Sequence, residues 1–539
     1  MFLSEVEIEN YRTFGHVVLH LDPRVNYMVG DSRIGKSNFL ALLHTILSGH
    51  GFSETDFLDA SLPIKVWLTF SGAESQNPVK VFLSQHVRQV VPRLSFAETG
   101  EDIPIEEIRK VTYFPYHMEK ALDQSSLPSD LSLLCECFSI ALSGPVAERA
   151  EWEALFRKSG ISIDLSGGSE EAALRVLQKI YGPNPDTGVG LSDAQTMMAA
   201  GLYLLLELFK RKKSPAVPFS DMVLLHEDGQ QYLPILLGID EPEVRLHSFR
   251  QRSVVYFLHK LLHNEEPLFV RLLQRVLGID GLSGQIFVVT HSTDALVDDY
   301  RKIIRLYWTA DKKVAAACGE RFRFSPEVEK QLIMHFPEVK EALFGRAAIL
   351  VEGETEYGAF PFFAKSMGHS LDFHGICLIN ARGETSISRI AELMHRFHVP
   401  TICLYDRDVA GGKKYAPNVF FTDHICFEMD VARHLLPQRR KALDRAIFEA
   451  GDGDEYVSGA LIKKAATKLN VMRSAYPPKL LSHVQEGDRG ALYFYYFAWL
   501  FGNKGVITGR ALGLSLSEGE IPTVFKKVIT AAVTAARKR

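Results

Sequence analysis

The sequence holds only six cysteines in 539 residues. Cys135, Cys137, Cys318, Cys377, Cys403 and Cys426 lack the paired spacing of a zinc module. Cys377 and Cys403 fall inside apolar, strand-like runs, where a thiol serves as a small hydrophobe, and the pattern is that of a protein kept in reducing cytoplasm. No apolar run approaches the roughly eighteen residues of a membrane helix. No basic segment followed by an apolar one opens the chain either, because Glu5, Glu7 and Glu9 interrupt it, so export and membrane insertion are not expected. An excess of one charge is missing too. At a formal net charge of −4 the molecule as a whole does not attract a polyanion, and such contacts must use local patches. Lys210–Lys213 and Arg537–Arg539 are the basic runs, each equally readable as a solvated face. There is no internal repeat and no low-complexity segment, which excludes solenoids. What remains is an ordinary globular composition, 46% apolar and 23% charged, in a chain too long for one core. Two to four domains are expected.

Residues 25–40 read VNYMVGDSRIGKSNFL. An apolar strand runs into Gly30-x-x-x-x-Gly35-Lys36-Ser37 and then into a helix carrying Phe39, Leu40, Leu42 and Leu43, the strand–loop–helix setting that a phosphate-binding loop requires. Backbone N–H groups and the helix N-terminus would hold the phosphates of ATP, Lys36 would reach the outer ones, and Ser37 would ligate Mg²⁺. Residues 233–247, LPILLGIDEPEVRLH, form an apolar strand ending in Asp240-Glu241. Asp240 is placed to hold magnesium and Glu241 to polarise the attacking water. A third apolar strand, QIFVVTHS (285–292), delivers His291 at its end as a γ-phosphate sensor.

A second chemistry lies further on. AAILVEGETE (347–356) is an apolar run ending in Glu352, with Glu354 and Glu356 close behind, and TICLYDRD (401–408) ends in Asp406 and Asp408. Two buried-strand patterns ending in carboxylates predict neighbouring parallel strands, since open α/β sheets place their sites beyond the carboxyl ends of strands. Converging carboxylates repel unless a cation lies between them, and hard oxygen ligands suit Mg²⁺ or Mn²⁺. The pattern points to a divalent-metal phosphodiester site. A first Glu followed by a later Asp-x-Asp resembles the Toprim domain of topoisomerases, primases and some nucleases.

The opening IENYRTF (Ile8–Phe14) resembles the first strand of ABC-type ATPases that include SMC and RecF proteins. GVGLSDAQTMMA (188–199) stands where those ATPases carry a signature segment that touches the nucleotide of a partner subunit. Leu191, Ser192 and Gln195 match it, while Asp193 and Ala194 replace its two glycines. An acid aimed at a γ-phosphate repels it, so loose closure and slow turnover are expected. Between the P-loop and Asp240, residues 72–110 read as paired strands and turns. Residues 117–180 show helical periodicity in Leu131, Leu134, Phe138 and Leu142, either a dimerisation arm or core packing within the ATPase.

Together these halves resemble the OLD (overcoming lysogenisation defect) family of nucleases, which includes the Gabija nuclease and effectors linked to some retrons. The resemblance implies an α/β multidomain fold: an ABC-type ATPase N-terminal part (1–116), a helical insertion (117–185), an ATPase C-terminal part (186–344), a Toprim domain (345–435) and a helical C-terminal region (436–539). It implies metal-dependent DNA cleavage on a homodimer or larger assembly, alone, with a helicase, or with a reverse transcriptase and its DNA product. Glu352, Glu356, Asp406 and Asp408 carry the family's acids. In FTDHICFEMDV, Glu428 is the better match to its third acidic element and Asp430 the fallback. In FGNKGVITGRAL, Lys504 matches its basic residue, with a plain surface lysine as the equal alternative. Gly383 is expected to make a tight turn beside the metals. Nucleotide is expected to slow or redirect cutting, as in the Gabija relative. The competing readings are a RecF- or SMC-like repair or clamp protein without nuclease activity, and a topoisomerase or primase. The stretch after the Toprim region is too short for a DNA gate, and no zinc module is present.

Overall fold

The computed structural model describes residues 2–72, 78–122, 127–183, 191–214, 217–226, 229–244, 246–296, 299–334, 336–412 and 416–538. Residues 188–190 of the signature-like segment, Arg245 and Arg539 lie outside them. The chain divides into two compact units, Met1–Phe322 and Arg323–Arg539. Among the described residues no helix is long and apolar enough to cross a membrane. All six cysteines are free thiols.

The first unit has two sheets. One is antiparallel, in the order Phe14–His20, Phe2–Tyr11, Ile64–Ser71, Val79–Gln85, Arg93–Phe96. Its strands alternate buried and half-buried residues, as a sheet with one covered face should. The other sheet runs Val314–Cys318, Ile303–Trp308, Val25–Val29, Gly281–Val289, Gln231–Asp240, Thr112–Tyr116. Its central strands are parallel. Val25–Val29 is buried at every position, which explains its unbroken apolar reading. The strands that precede the P-loop, Asp240 and His291 are adjacent, so their carboxyl ends open at one edge.

Between the sheets' strands the chain forms the helices Leu127–Ala141, Val146–Lys158 and Ser169–Tyr181. Leu134, Phe138 and Leu142 are buried, and Leu127–Ala141 packs against Ser169–Tyr181 and Asp193–Lys213. That apolar face is spent inside the unit, as core packing requires.

The second unit centres on a parallel sheet in the order Ile376–Asn380, Ala347–Val351, Thr401–Tyr405, Val419–Phe421. The helices Pro326–Met334 and Phe336–Phe344 fall in this unit, although the sequence places its boundary at 344/345. They pack against Glu384–Arg396 and the strand Ile376–Asn380, and the Cys377 thiol donates to Glu338 O at 3.4 Å. Below the sheet an aromatic stack joins three helices: Phe427 lies 4.6 Å from Phe525, and Phe363 lies 6.1 Å from the same ring. It locks the helices Glu354–Ser366, Phe427–Leu435 and Thr523–Arg537 into one core.

Candidate functional site

In the first unit, Gly30 and Gly35 take φ values of 136° and 109°, which favour glycine. A Cβ on Gly30 would meet Leu306 O at 2.3 Å. Lys36 opens the helix Lys36–Leu47 and is almost fully buried; its Nζ donates to Gly30 O at 2.9 Å and Asp31 O at 3.0 Å. Burial lowers its pKa to about 8, against the pull of Asp31, Asp240, Glu241 and Glu243. The side chain is held over the loop where outer phosphates would arrive.

Ser37 Oγ donates to Asp240 Oδ1 at 3.1 Å, so the two magnesium candidates touch across the sheet edge. Burial raises the Asp240 carboxyl. Glu241 follows with a left-handed φ of 49°, a conformation costly for a side-chain residue, and its N–H donates to Val289 O at 2.8 Å. His291 Nε2 stands 3.8 Å from Glu241 Oε1. Glu243, unmarked in the sequence reading, ties this corner together by accepting from His291 N–H at 2.6 Å and from Thr290 Oγ1 at 2.8 Å.

The signature-like segment is tied into the start of the helix that follows it. Gln195 is buried, and its amide nitrogen donates to Lys179 O at 3.0 Å and Gly182 O at 3.1 Å, while its oxygen accepts from Ser192 N–H at 2.8 Å. Ser192 Oγ in turn accepts from Gln195 N–H at 3.3 Å, a reciprocal cap on the helix Asp193–Lys213. Gln195 is therefore engaged by the helix start. Asp193 does not stand as a bare acid either: Arg250 Nε lies 2.8 Å from its Oδ1.

In the second unit, Glu352 and Asp406 follow the paired strands Ala347–Val351 and Thr401–Tyr405. Asp406 N–H donates to Glu352 Oε2 at 3.3 Å, and Phe427 N–H donates to Asp406 Oδ1 at 3.2 Å. Glu356 projects from the first turn of Glu354–Ser366 and Glu428 from that of Phe427–Leu435, both buried. Gly383, φ 130°, turns the chain beside them and donates its N–H to Glu352 O at 3.0 Å.

These carboxyls strain one another. Burial, then Glu356 and Glu428, raise Asp406 to about 8. Burial, then Glu428, raise Glu356 to about 7. Burial also raises Glu352, reinforced by Asp408 and Glu384. Glu428 Oε1 is buried with no hydrogen-bond partner, and its Oε2 faces Lys504 Nζ at 3.0 Å. Burial alone would lower the Lys504 pKa, but Glu428, Cys426 and Asp406 outweigh it and raise it. Lys504 thus reaches the cluster and is not a plain surface lysine. Asp430, the fallback, is occupied elsewhere: it accepts from Asp423 N–H at 2.8 Å, His424 N–H at 2.6 Å and faces His424 Nδ1 at 2.8 Å, organising the loop. Lys468, which the sequence reading passed over, pairs with Asp408.

An oxygen-only donor set with an orphaned buried carboxylate oxygen fits a hard divalent cation. The acids are spread apart. Among the described residues the group whose ligand atoms all lie within 4.8 Å of one another is instead Glu7, Glu9 and His16, in the antiparallel sheet. There Glu7 is paired with His16 at 2.9 Å and Glu9 with Lys65 at 3.2 Å.

Residues 343–408, which span Glu352, Glu356, Asp406 and Asp408, match the model of the overcoming lysogenization defect protein-like TOPRIM domain. The second unit holds an OLD-like Toprim domain. Its pairing in one chain with a P-loop unit fits the OLD family. The chain is 22% identical to the Old nuclease of Escherichia phage P2 over 480 residues, 78% of this chain and 79% of that protein. It is 30% identical over 187 residues to the uncharacterized protein YbjD of Escherichia coli (strain K12), 34% of this chain and 30% of that one. The solved C-terminal region of the Xanthomonas campestris pv. campestris OLD protein is 16% identical and covers 36% of this chain and 96% of that one, at a TM-score of 0.26, too slight a likeness to build on. The Toprim match stops at 408, so the placing of Glu428, Lys468 and Lys504 rests on the geometry described above.

Proposed function

We propose that the chain is a divalent-metal-dependent DNA endonuclease whose cutting is regulated by ATP bound in the first unit. The observation that carries this reading is the cluster of half-buried Glu352 with the buried Glu356, Asp406 and Glu428, in which burial and neighbouring acids raise Glu352, Glu356 and Asp406 and a Glu428 carboxylate oxygen has no partner. Such a cluster is costly unless cations enter it. Glu352, Glu356, Asp406, Asp408 and Glu428 would hold two Mg²⁺ or Mn²⁺ ions. Bound there, the ions supply Lewis acidity to a water and to the leaving oxygen of a phosphodiester. Lys504 places a positive charge at the same acids, where it can offset the negative charge on the phosphoryl oxygens in the transition state.

In the first unit, Gly30, Gly35, Lys36 and Ser37 bind the phosphates and, with Asp240, their magnesium. Glu241 orients water and His291 reads the γ-phosphate. The likeness to the Old nuclease supports nucleic acid as substrate. The test is incubation of the purified chain with supercoiled plasmid and Mg²⁺ or Mn²⁺. Nicking that EDTA abolishes is expected from the wild type and absent from Glu352→Ala. Relaxation without nicking, or no change at any metal concentration, would overturn the reading.

A further inference from the structure

Two lysines stand among the acids of the Toprim unit, and both face the ring of Phe501. Lys504 Nζ lies 4.7 Å from its centroid and Lys468 Nζ 5.9 Å. Their settings differ. Lys504, its side chain 42% exposed, holds its Nζ 3.0 Å from the fully buried Glu428, and Asp406 and Cys426 act on it as well, so there only the carboxylate is shut away. Lys468 sits near the end of the helix Gly459–Leu469, where Asn470 stops the helix in a left-handed turn at φ 52°. There it hydrogen-bonds Asp408 Oδ2, and both partners remain partly open to solvent, at 27% and 32% side-chain exposure.

An ammonium hydrogen-bonded to a carboxylate occupies the oxygen face that a metal ion would take, with one charge in place of two. A pair whose carboxylate is itself open to solvent, as Asp408 is and Glu428 is not, exchanges easily. Among the described residues, no three of these acids bring their ligand atoms within 4.8 Å of one another. We propose that Lys468 is an exchangeable counter-ion for Asp408: it neutralises Asp408 in the metal-free protein and is displaced when a divalent ion enters. It is a positioning residue that sets the metal affinity of the Asp408 side of the site. This rests on the metal-site reading above.

The test is calorimetric titration of Mn²⁺ into the full chain without nucleotide, comparing wild type, Lys468→Met, Lys468→Arg and Glu352→Ala. Loss of a repelling charge should tighten Mn²⁺ binding in Lys468→Met by about fivefold to tenfold. Lys468→Arg should bind as the wild type does. Mn²⁺ should also raise the Tm of Lys468→Met by more than that of the wild type, since the unpaired Asp408 gains more from the ion. Equal or weaker affinity in Lys468→Met, with binding lost in Glu352→Ala, overturns the counter-ion role alone. Equal binding in the wild type and Glu352→Ala overturns the metal site with it.

Discussion

Burial, with Glu356 and Glu428, raises Asp406 to about 8, so it is mostly protonated at neutral pH; burial, with Glu428, raises Glu356 to about 7, so it is about half protonated there. A carboxyl raised in the folded state contributes stability that is full below its unfolded value of about 4 and is lost as pH rises through the folded value. The metal-free protein should therefore lose stability as pH rises from about 4 towards 8, and a divalent ion should restore most at the alkaline end, since its ligands must be ionised. Thermal melts at pH 6 and pH 9, in EDTA and in Mn²⁺, check this. The gap between the two Tm values should widen with pH, and a constant gap would contradict it.

At the other site, Lys36→Ala should abolish ATP binding by calorimetry. Glu241→Gln should retain binding and slow hydrolysis by about a hundredfold or more, the scale of a lost general base. Hydrolysis at wild-type rate by Glu241→Gln would remove it from the water-activating role. Most of these residues were legible in the sequence because each follows an apolar strand, and a strand end is a fixed address. For Gln195 the motif match carries no information about which way the side chain turns. Here Ser192 and the carbonyls of Lys179 and Gly182 claimed it.

At the scale of elements, the seam between the helices Glu354–Ser366 and Val506–Ser515 sets the distance from Lys504 to the acids. It is built on Gly358, Gly509 and Gly513. A Cβ on Gly358 would meet Val506 O at 2.3 Å, and one on Gly509 would meet Thr355 O at 2.0 Å. Gly505 N–H donates to Thr355 Oγ1 at 3.2 Å, next to Lys504 in the chain. Gly509→Ala should therefore cost about 1–3 kcal/mol, as overpacking does, and should lower plasmid cleavage by moving Lys504. Gly487→Ala, with open space at its Cβ, should be near neutral. Denaturant melts of both variants, beside a cleavage assay, separate a packing loss from a catalytic one. If Gly509→Ala is as stable and active as the wild type, the seam does not position the site. The spacing Gly505, Gly509, Gly513 was visible in the sequence, but nothing there said which helix it faces. Lys468 was out of reach for the same reason: its partner Asp408 is 60 residues away, and only packing joins them.

For the whole molecule, the two chemistries fall in different compact units, the P-loop set within Met1–Phe322 and the acids within Arg323–Arg539. Hydrolysis of a phosphodiester by water runs downhill and needs no ATP energy. Nucleotide can only shift populations between competent and incompetent states, by its difference in affinity for them. Asp193 pairs with Arg250 but stays 82% exposed, so the pair offsets its charge only weakly. The regulatory role stands on the separation of the chemistries. One experiment tests it most directly: plasmid cleavage by Lys36→Ala and Asp406→Ala, each with Mg²⁺ or Mn²⁺ and with or without ATP. Lys36→Ala should cut and ignore ATP, while Asp406→Ala should bind ATP and leave the plasmid intact. Cutting by Asp406→Ala, or a Lys36→Ala protein that is folded yet inert on DNA, would contradict the account.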